Sequence, residues 1–394
     1  MGMPSLVKLV GAVITGRVVT RSLGVDWTTE QWCALVALAR NHGVAGLLLR
    51  AFSTNGWPTA MPIEVRGELQ ALVYEATGHN LKLFMALAPI LAVLNPLTPV
   101  LVLKGAALSE PYYHGTILRP ISDLDLLVPE DAVPAVLAAL AQLGYHPIPS
   151  LAPELLPALE PHVHLSGGPQ GDLQLEIHWS LVSGSADWRA SPVTWFWTQQ
   201  QAWLPPRAYL EAGGEVGRAT CLTATASLLY QAAHLVLRHG QEPARLIWIY
   251  DLHLLVSSGQ IDWPLLVQQA QALGWEVALT TALDESQRYF ETGVPEEVLA
   301  QLRHSFDARV IYTGPDAPYV PLNSWDMLQP LRMRTRLHML LRLAFPDPNY
   351  LRASYAPAWG HWWPLAYPYR WLKPFMRLAR RLVRPNPTRS PWLR

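Results

Sequence analysis

Ser122-Asp123-Leu124-Asp125-Leu126-Leu127-Val128 decides the fold, together with Val100-Leu101-Val102-Leu103-Lys104-Gly105 before it and Leu173-Gln174-Leu175-Glu176-Ile177-His178-Trp179 after it. Successive side chains of a strand point to opposite faces. Asp123 and Asp125 therefore share one face, and Leu124 and Leu126 share the other. In the later stretch the same alternation groups Gln174, Glu176 and His178 against Leu173, Leu175 and Ile177. A third carboxylate is thus available from a neighbouring strand.

Working outward, Asn95-Pro96-Leu97-Thr98-Pro99 stops a long helix, and Val100 to Leu103 is a short continuous apolar run that reads as a buried strand. Lys104-Gly105-Ala106 then opens a helix. Free amides and the helix dipole favour an anion at such a turn, and Lys104 adds a positive charge. Residues 132–143 read as a helix closed by Gly144. Further strands fit residues 145–148, 162–166 and 173–179, with 167–172 as a hairpin loop. The expectation for residues 96–182 is a small mixed sheet backed by helices, an α+β core.

The flanks are helical. Trp27-Thr28-Thr29-Glu30 is a capping signal before Trp32, Leu35, Val36, Leu38 and Ala39, and Asn41-His42-Gly43 ends that helix. A long helix is expected from about Ile63 to Leu94. After a Trp-rich connector, Trp188 to Trp203, come helices over residues 223–240 and 245–256 and a third from Ile261. Four units follow: 1–95 helical, 96–182 the sheet core, 183–330 a helical unit closing the cleft, and 331–394 a basic C-terminal segment.

The chain has 394 residues, zero formal net charge and 15% charged residues, so it folds without a general attraction to nucleic acid or acidic surfaces. Cys33 and Cys221 each sit in an apolar helical pattern and read as buried small hydrophobes. Residues 1–19 are too short and too interrupted for a membrane span, and no other stretch reaches about 18 uninterrupted apolar residues. No integral membrane span and a cytoplasmic location are expected.

Three carboxylates beside a helix N-terminus suit phosphoryl transfer, in which negative charge on the attacking and leaving oxygens must be neutralised. Hard oxygen ligands select Mg²⁺ (or Mn²⁺) over Zn²⁺. His162, His164 and His178 offer a competing imidazole set suited to Zn²⁺.

At these residues the chain resembles the nucleotidyltransferase superfamily of the DNA-polymerase-β type, and within it a bacterial family described only as nucleotidyltransferase family protein. The resemblance implies that Asp123, Asp125 and Glu176 are the catalytic and metal-binding acids, and that the Lys104-Gly105 turn holds the triphosphate of an NTP co-substrate. Glu176 would also help the acceptor hydroxyl lose its proton. Many superfamily members carry Gly-Ser at this turn. The bacterial family favours Lys-Gly with an Arg shortly before the Asp-x-Asp, here Arg119.

Arg119 and Ser122, with His234, His239, Arg245 and Asp251 of the later helical unit, are the remaining nucleotide-contacting candidates. The implied reaction moves an NMP to a hydroxyl of a small molecule, peptide or protein, as an accessory enzyme of a bacterial biosynthetic cluster. Two other classes remain open. One is a nucleotide-binding scaffold without turnover, and the other is an RNA-end-modifying enzyme, which the sparse basic residues of the core disfavour. The tail from Arg370 to Arg394 carries no acid. Its residues 370–384 read as a basic amphipathic helix that packs on the protein or docks an acidic partner.

Overall fold

The structure, a computed structural model, describes residues 6–149, 162–168, 171–182, 193–215, 219–239, 243–303 and 344–372, with positions 314, 315, 337 and 341. Most of the basic tail, from 373 on, and the stretch 183–192, which includes the start of the Trp-rich connector, lie outside the described residues. The chain divides into two compact units, residues 1–147 with 160–323, and residues 148–159 with 324–394.

The first unit opens with helices α1 (Leu6–Ile14), α2 (Thr29–His42), α3 (Ala45–Asn55) and α4 (Ile63–Leu94). The α2 capping signal forms as expected: Thr28 accepts from the Gln31 amide while the Gln31 side chain accepts from the Thr28 amide, and Gly43 closes the helix in a left-handed conformation. α4 is long and apolar enough to cross a membrane by length and composition. Its Leu69, Val73, Leu83, Phe84, Leu87 and Leu91 are buried within the protein, while Ile63, Tyr74, Leu81 and Met85 are exposed.

Then follow β1 (Leu101–Val102), α5 (Lys104–Tyr113), β2 (Leu124–Leu127), α6 (Val133–Gln142), β3 (His146–Pro147), β4 (His162–Gly167) and β5 (Leu173–His178). After them come α7 (Val193–Thr198), β6 (Gln200–Ala202), α8 (Arg207–Glu211) and β7 (Thr220–Leu222). Further along the unit are, among the described residues, α9 (Ala224–Ala233), α10 (Leu246–Ser257), α11 (Trp263–Leu273), α12 (Glu276–Phe290) and α13 (Glu296–Arg303).

Among the described residues the strands form one sheet in the order β3-β4-β5-β2-β1-β7-β6. β2 runs parallel to β5 and antiparallel to β1, and β1 runs parallel to β7. The fold is α+β, as expected. The sheet is wider than the sequence indicated, because β6 and β7 extend it beyond β1 with three residues each, too few for an alternating pattern to register. One hydrophobic core runs from Val7 and Val10 through Leu101 and Leu103 to Leu299 and Leu302, so the helices before and after the sheet bury against a shared interior.

The second unit contains α14 (Pro348–Trp359) and a 3₁₀ turn at Gly360–Leu365. Leu351 and Ala366 are fully buried there. Trp371 donates its indole N–H to the Ala344 carbonyl at 2.8 Å.

Candidate active site

The site begins with strand register. Asp125 on β2 pairs with Glu176 on β5, and Glu176 pairs with His164 on β4. His178 pairs with His162 one step along. Side chains opposite one another on paired strands share a face, so the register lays His164, Glu176 and Asp125 in a row across three strands. Asp123, two residues before Asp125, joins from the strand's entrance. One ligand oxygen from each of Asp123, Asp125 and Glu176 falls within a cluster whose members all lie within 4.8 Å of one another. Asp125 and Glu176 are buried and Asp123 is partly so.

α5 brings Lys104 to this cluster. The strand-to-helix turn lies where the sequence placed it, and Lys104 takes a left-handed backbone there, with φ of 45°. Its ammonium donates to Asp125 Oδ1 at 2.6 Å and lies 3.6 Å from Glu176 Oε2. Burial pulls its pKa down, yet Asp125, Tyr230 and Glu176 outweigh that and hold it above the ordinary lysine value. Gly105 has its own explanation: an added Cβ would run into Nη1 of Arg119.

Arg119 is buried and held by Asp251, which accepts from Nε at 2.9 Å and from Nη2 at 2.7 Å, a two-pronged pairing. Tyr113 donates to the same carboxylate at 2.6 Å. Asp251 thus sits behind Arg119 and reaches the site through it. The loop carrying Arg119 is fixed from α4. The Asn80 amide donates to the Thr116 and Arg119 carbonyls, both at 2.7 Å, and its oxygen accepts from the Ile121 amide at 2.9 Å. Asn80 is fully buried on the apolar side of α4, a polar residue at a core position, and that was its signal in the sequence.

The histidines tie the acids together. His178 Nε2 lies 2.9 Å from Asp125 Oδ1 and 3.1 Å from Glu176 Oε2, and His164 Nδ1 lies 2.9 Å from Glu176 Oε1. Burial acts to raise Glu176, but its hydrogen bonds to His164 and His178, with the charge of Lys104, hold it well below the carboxylate range. Asp123 behaves oppositely. Burial, then repulsion from Asp125 and Glu176, pushes it up to about 6. Burial and His178 pull His162 down to about 2, so its ring is neutral at ordinary pH. His162, Glu176 and His178 also form a set of ligand atoms within 4.8 Å, with Glu176 common to both sets.

Facing the acids across a cavity of about 240 Å³ is the helical unit. α9 ends in a π-turn over His234–Arg238, closed by the His239 amide donating to the His234 carbonyl at 3.2 Å. The His234 and His239 rings are 4.7 Å apart, and His239 lies 5.0 Å from the Trp248 ring. The Arg245 guanidinium sits over Trp248 at 5.8 Å. Arg245 is positioned by the end of α2: His42 Nδ1 accepts from the Leu246 amide at 3.3 Å, and a Cβ at Gly43 would approach Arg245 Nη2.

Lys104, Gly105, Arg119, Ser122, Asp123, Asp125, Glu176, His234, His239 and Arg245 therefore line one cavity, with Asp251 behind it. Ser122 donates to Asp123 Oδ1 at 2.7 Å. Arg238, four residues after His234 and on its face by helical spacing, and Trp248 line the same cavity but are not among the nucleotide-contacting candidates of the sequence, and neither is Tyr230, buried beside Lys104. Three carboxylate oxygens lie within 4.8 Å of one another with the Lys104 ammonium on Asp125, while Arg119 is paired with Asp251, and such a set of hard oxygens suits a divalent cation.

A family model described as "Uncharacterised nucleotidyltransferase" matches residues 28–291, well over half of the chain. No curated protein matches the chain.

Proposed function

The chain belongs to the uncharacterised nucleotidyltransferase family, and from that premise we propose that it moves a nucleoside monophosphate from an NTP to a hydroxyl of an acceptor. A bond forms between the hydroxyl oxygen and the α-phosphorus, the bond from that phosphorus to the bridging oxygen breaks, pyrophosphate leaves, and the hydroxyl proton is released. The observation that carries this reading is the register of Asp125 against Glu176, with Asp123 alongside.

The donor set is three hard carboxylates, which fits Mg²⁺ or Mn²⁺. Held by Asp123, Asp125 and Glu176, such ions would neutralise charge on the reacting oxygens. The chain's own residues do the rest. His178 and His164 fix the orientation of Asp125 and Glu176 by hydrogen bonds at 2.9 to 3.1 Å. Lys104 supplies a cation at the helix N-terminus, where it can exchange Asp125 for a phosphate oxygen. Arg119, anchored by Asp251, holds a fixed positive edge beside Gly105. Arg238, His239, Arg245 and Trp248 form the opposite wall, a combination of cations and flat rings suited to a nucleotide.

A nucleotide-binding protein without turnover is favoured by one observation, the seating of Lys104 directly on Asp125. Incubation with each α-labelled NTP, Mg²⁺ and a pool of hydroxyl-bearing acceptors separates the two. We expect covalent label transfer by the wild type and none by Asp125→Asn or Glu176→Gln. Equal transfer by these variants removes the metal assignment, and NTP binding without transfer under every acceptor supports the non-turnover reading.

A further inference from the structure

On α4, Tyr74, Gly78 and Lys82 follow one another at four-residue spacing and so share one side of the helix. Gly78 lies inside a helix of 32 residues and lacks the positive φ that would call for glycine. A Cβ built there meets nothing within 4 Å. Neither backbone conformation nor packing within the protein accounts for it, and an interior glycine weakens a helix relative to alanine. Gly67 of the same helix is equally open, and what sets Gly78 apart is that it lines a groove, where a missing side chain lets a second backbone come close.

Gly78 lines a groove of about 790 Å³ between α4 and the facing ends of α2 and α3, floored by the loop at residues 117–121. The groove shares Pro120, Ile121 and Arg245 with the inner cavity, and His79 Nε2 lies 3.4 Å from the carbonyl of Ser122, next to Asp123. The inner cavity, about 240 Å³, is below the range of pockets that enclose a whole ligand, whereas the groove lies within it. The reacting end of a nucleotide fills the first. The second is left for what receives the nucleotide.

We propose that this groove binds the acceptor as an extended acidic peptide segment, with a hydroxyl side chain delivered past Arg245 toward Asp123. The assignment rests on the nucleotidyl-transfer reading above. Three observations select this occupant. The groove carries Arg40, Lys82 and Arg245 against Glu75. The Arg40–Glu68 and Lys82–Asp172 contacts, at 3.5 and 3.7 Å, are loose surface pairs that exchange readily for carboxylates of a ligand. Tyr74 is 74% exposed and Ile117 54%, two apolar holds for side chains on either side of the glycine gap. Glu75 within the groove and the zero net charge of the chain disfavour a nucleic acid, whose binding depends on many phosphate contacts.

The test is fluorescence anisotropy without NTP, using a labelled alternating Glu–Tyr peptide, a Lys–Tyr peptide of equal length and a single-stranded RNA oligomer. The Glu–Tyr peptide is expected to bind, and more weakly as salt rises. Gly78→Gln should lower that affinity about tenfold or more while raising the thermal midpoint and leaving affinity for a non-hydrolysable NTP unchanged. Lys82→Glu should weaken the peptide in the same way. No binding of the Glu–Tyr peptide, equal binding by Gly78→Gln, or preference for the Lys–Tyr peptide or the RNA each overturns the proposal. Groove-dependent peptide binding with no label transferred from any NTP upholds the docking site and sinks the transfer reading instead.

Discussion

The ammonium of Lys104 lies 2.6 Å from Oδ1 of Asp125, and the residue that bears it has a left-handed backbone. A non-glycine residue in that conformation costs about 1 to 3 kcal/mol, and such outliers persist where surrounding structure holds them. Here the strained backbone aims the side chain into the acidic cluster.

Replacing Lys104 by Met leaves Asp123, Asp125 and Glu176 without their ammonium. Removing one partner of a buried ion pair costs about 3 to 5 kcal/mol, and relief of backbone strain is not expected, since Met has the same Cβ. In chelator the variant should melt well below the wild type, and Mg²⁺ should restore more of its stability than it adds to the wild type. Equal melting in chelator would show that Lys104 is not the counter-charge of the cluster.

Asp251→Asn should destabilise by a similar amount, about 3 to 5 kcal/mol, because it leaves the Arg119 guanidinium buried and uncompensated. Urea unfolding measures it. Replacing both residues by apolar ones, Arg119→Met with Asp251→Leu, should recover part of the loss in stability while NTP affinity stays reduced. A single-variant loss under about 1 kcal/mol would argue against a tight pairing.

Asp123→Asn should stabilise the metal-free protein at neutral pH. The Asp123 carboxyl is pushed up to about 6 by burial and by its acidic neighbours, against about 4 when unfolded. The folded protein therefore holds this proton more tightly. The penalty for ionising it is absent below pH 4, grows between 4 and 6 and is constant above. Thermal unfolding in chelator should show the variant and wild type alike near pH 4 and the variant more stable by about 1 to 3 kcal/mol at pH 7. Added Mg²⁺ should reverse the order. A variant less stable than wild type at pH 7 in chelator would refute the repulsion.

Cys221 should resist alkylation in the folded protein. Burial pushes its thiol up to about 11, so little thiolate exists at pH 8, whereas Cys33 is exposed. Peptide mass mapping after iodoacetamide treatment should find Cys33 modified first and Cys221 modified on unfolding. Equal rates at the two sites would contradict the packing of β7.

The acids were legible in the sequence because a period of two needs only four or five residues to show itself. Asp123 and Asp125 share a face by that rule alone, and so does Glu176 with His178. Strand register was not legible, and the row from His164 through Glu176 to Asp125 depends on it. Asp251 illustrates a second limit. Its place on a helix could be read, but its partner Arg119 is 132 residues away, and no local pattern reports that distance. Cys33, read as buried, is exposed on α2, because that helix buries Trp32, Leu35, Val36 and Ala39 instead. Lys104 reads as facing phosphate because it stands where a strand turns into a helix N-terminus. Its contact with Asp125, 21 residues away, is a tertiary pairing that the local pattern does not report.

The π-turn at the end of α9 acts as a one-residue insertion. Positions five apart on an α-helix differ by about 140° around the axis, so an unbroken helix would bring His234 and Arg238, not His234 and His239, onto a common side. The wider turn resets the phase and lets the His239 ring meet both His234 and Trp248. A chain shortened by one residue between 235 and 238 would regain a regular ladder of hydrogen bonds and a tidier helix. It would also turn the His239 ring away from His234 and Trp248, so this part of the wall opposite the carboxylates depends on chain length as well as on residue type.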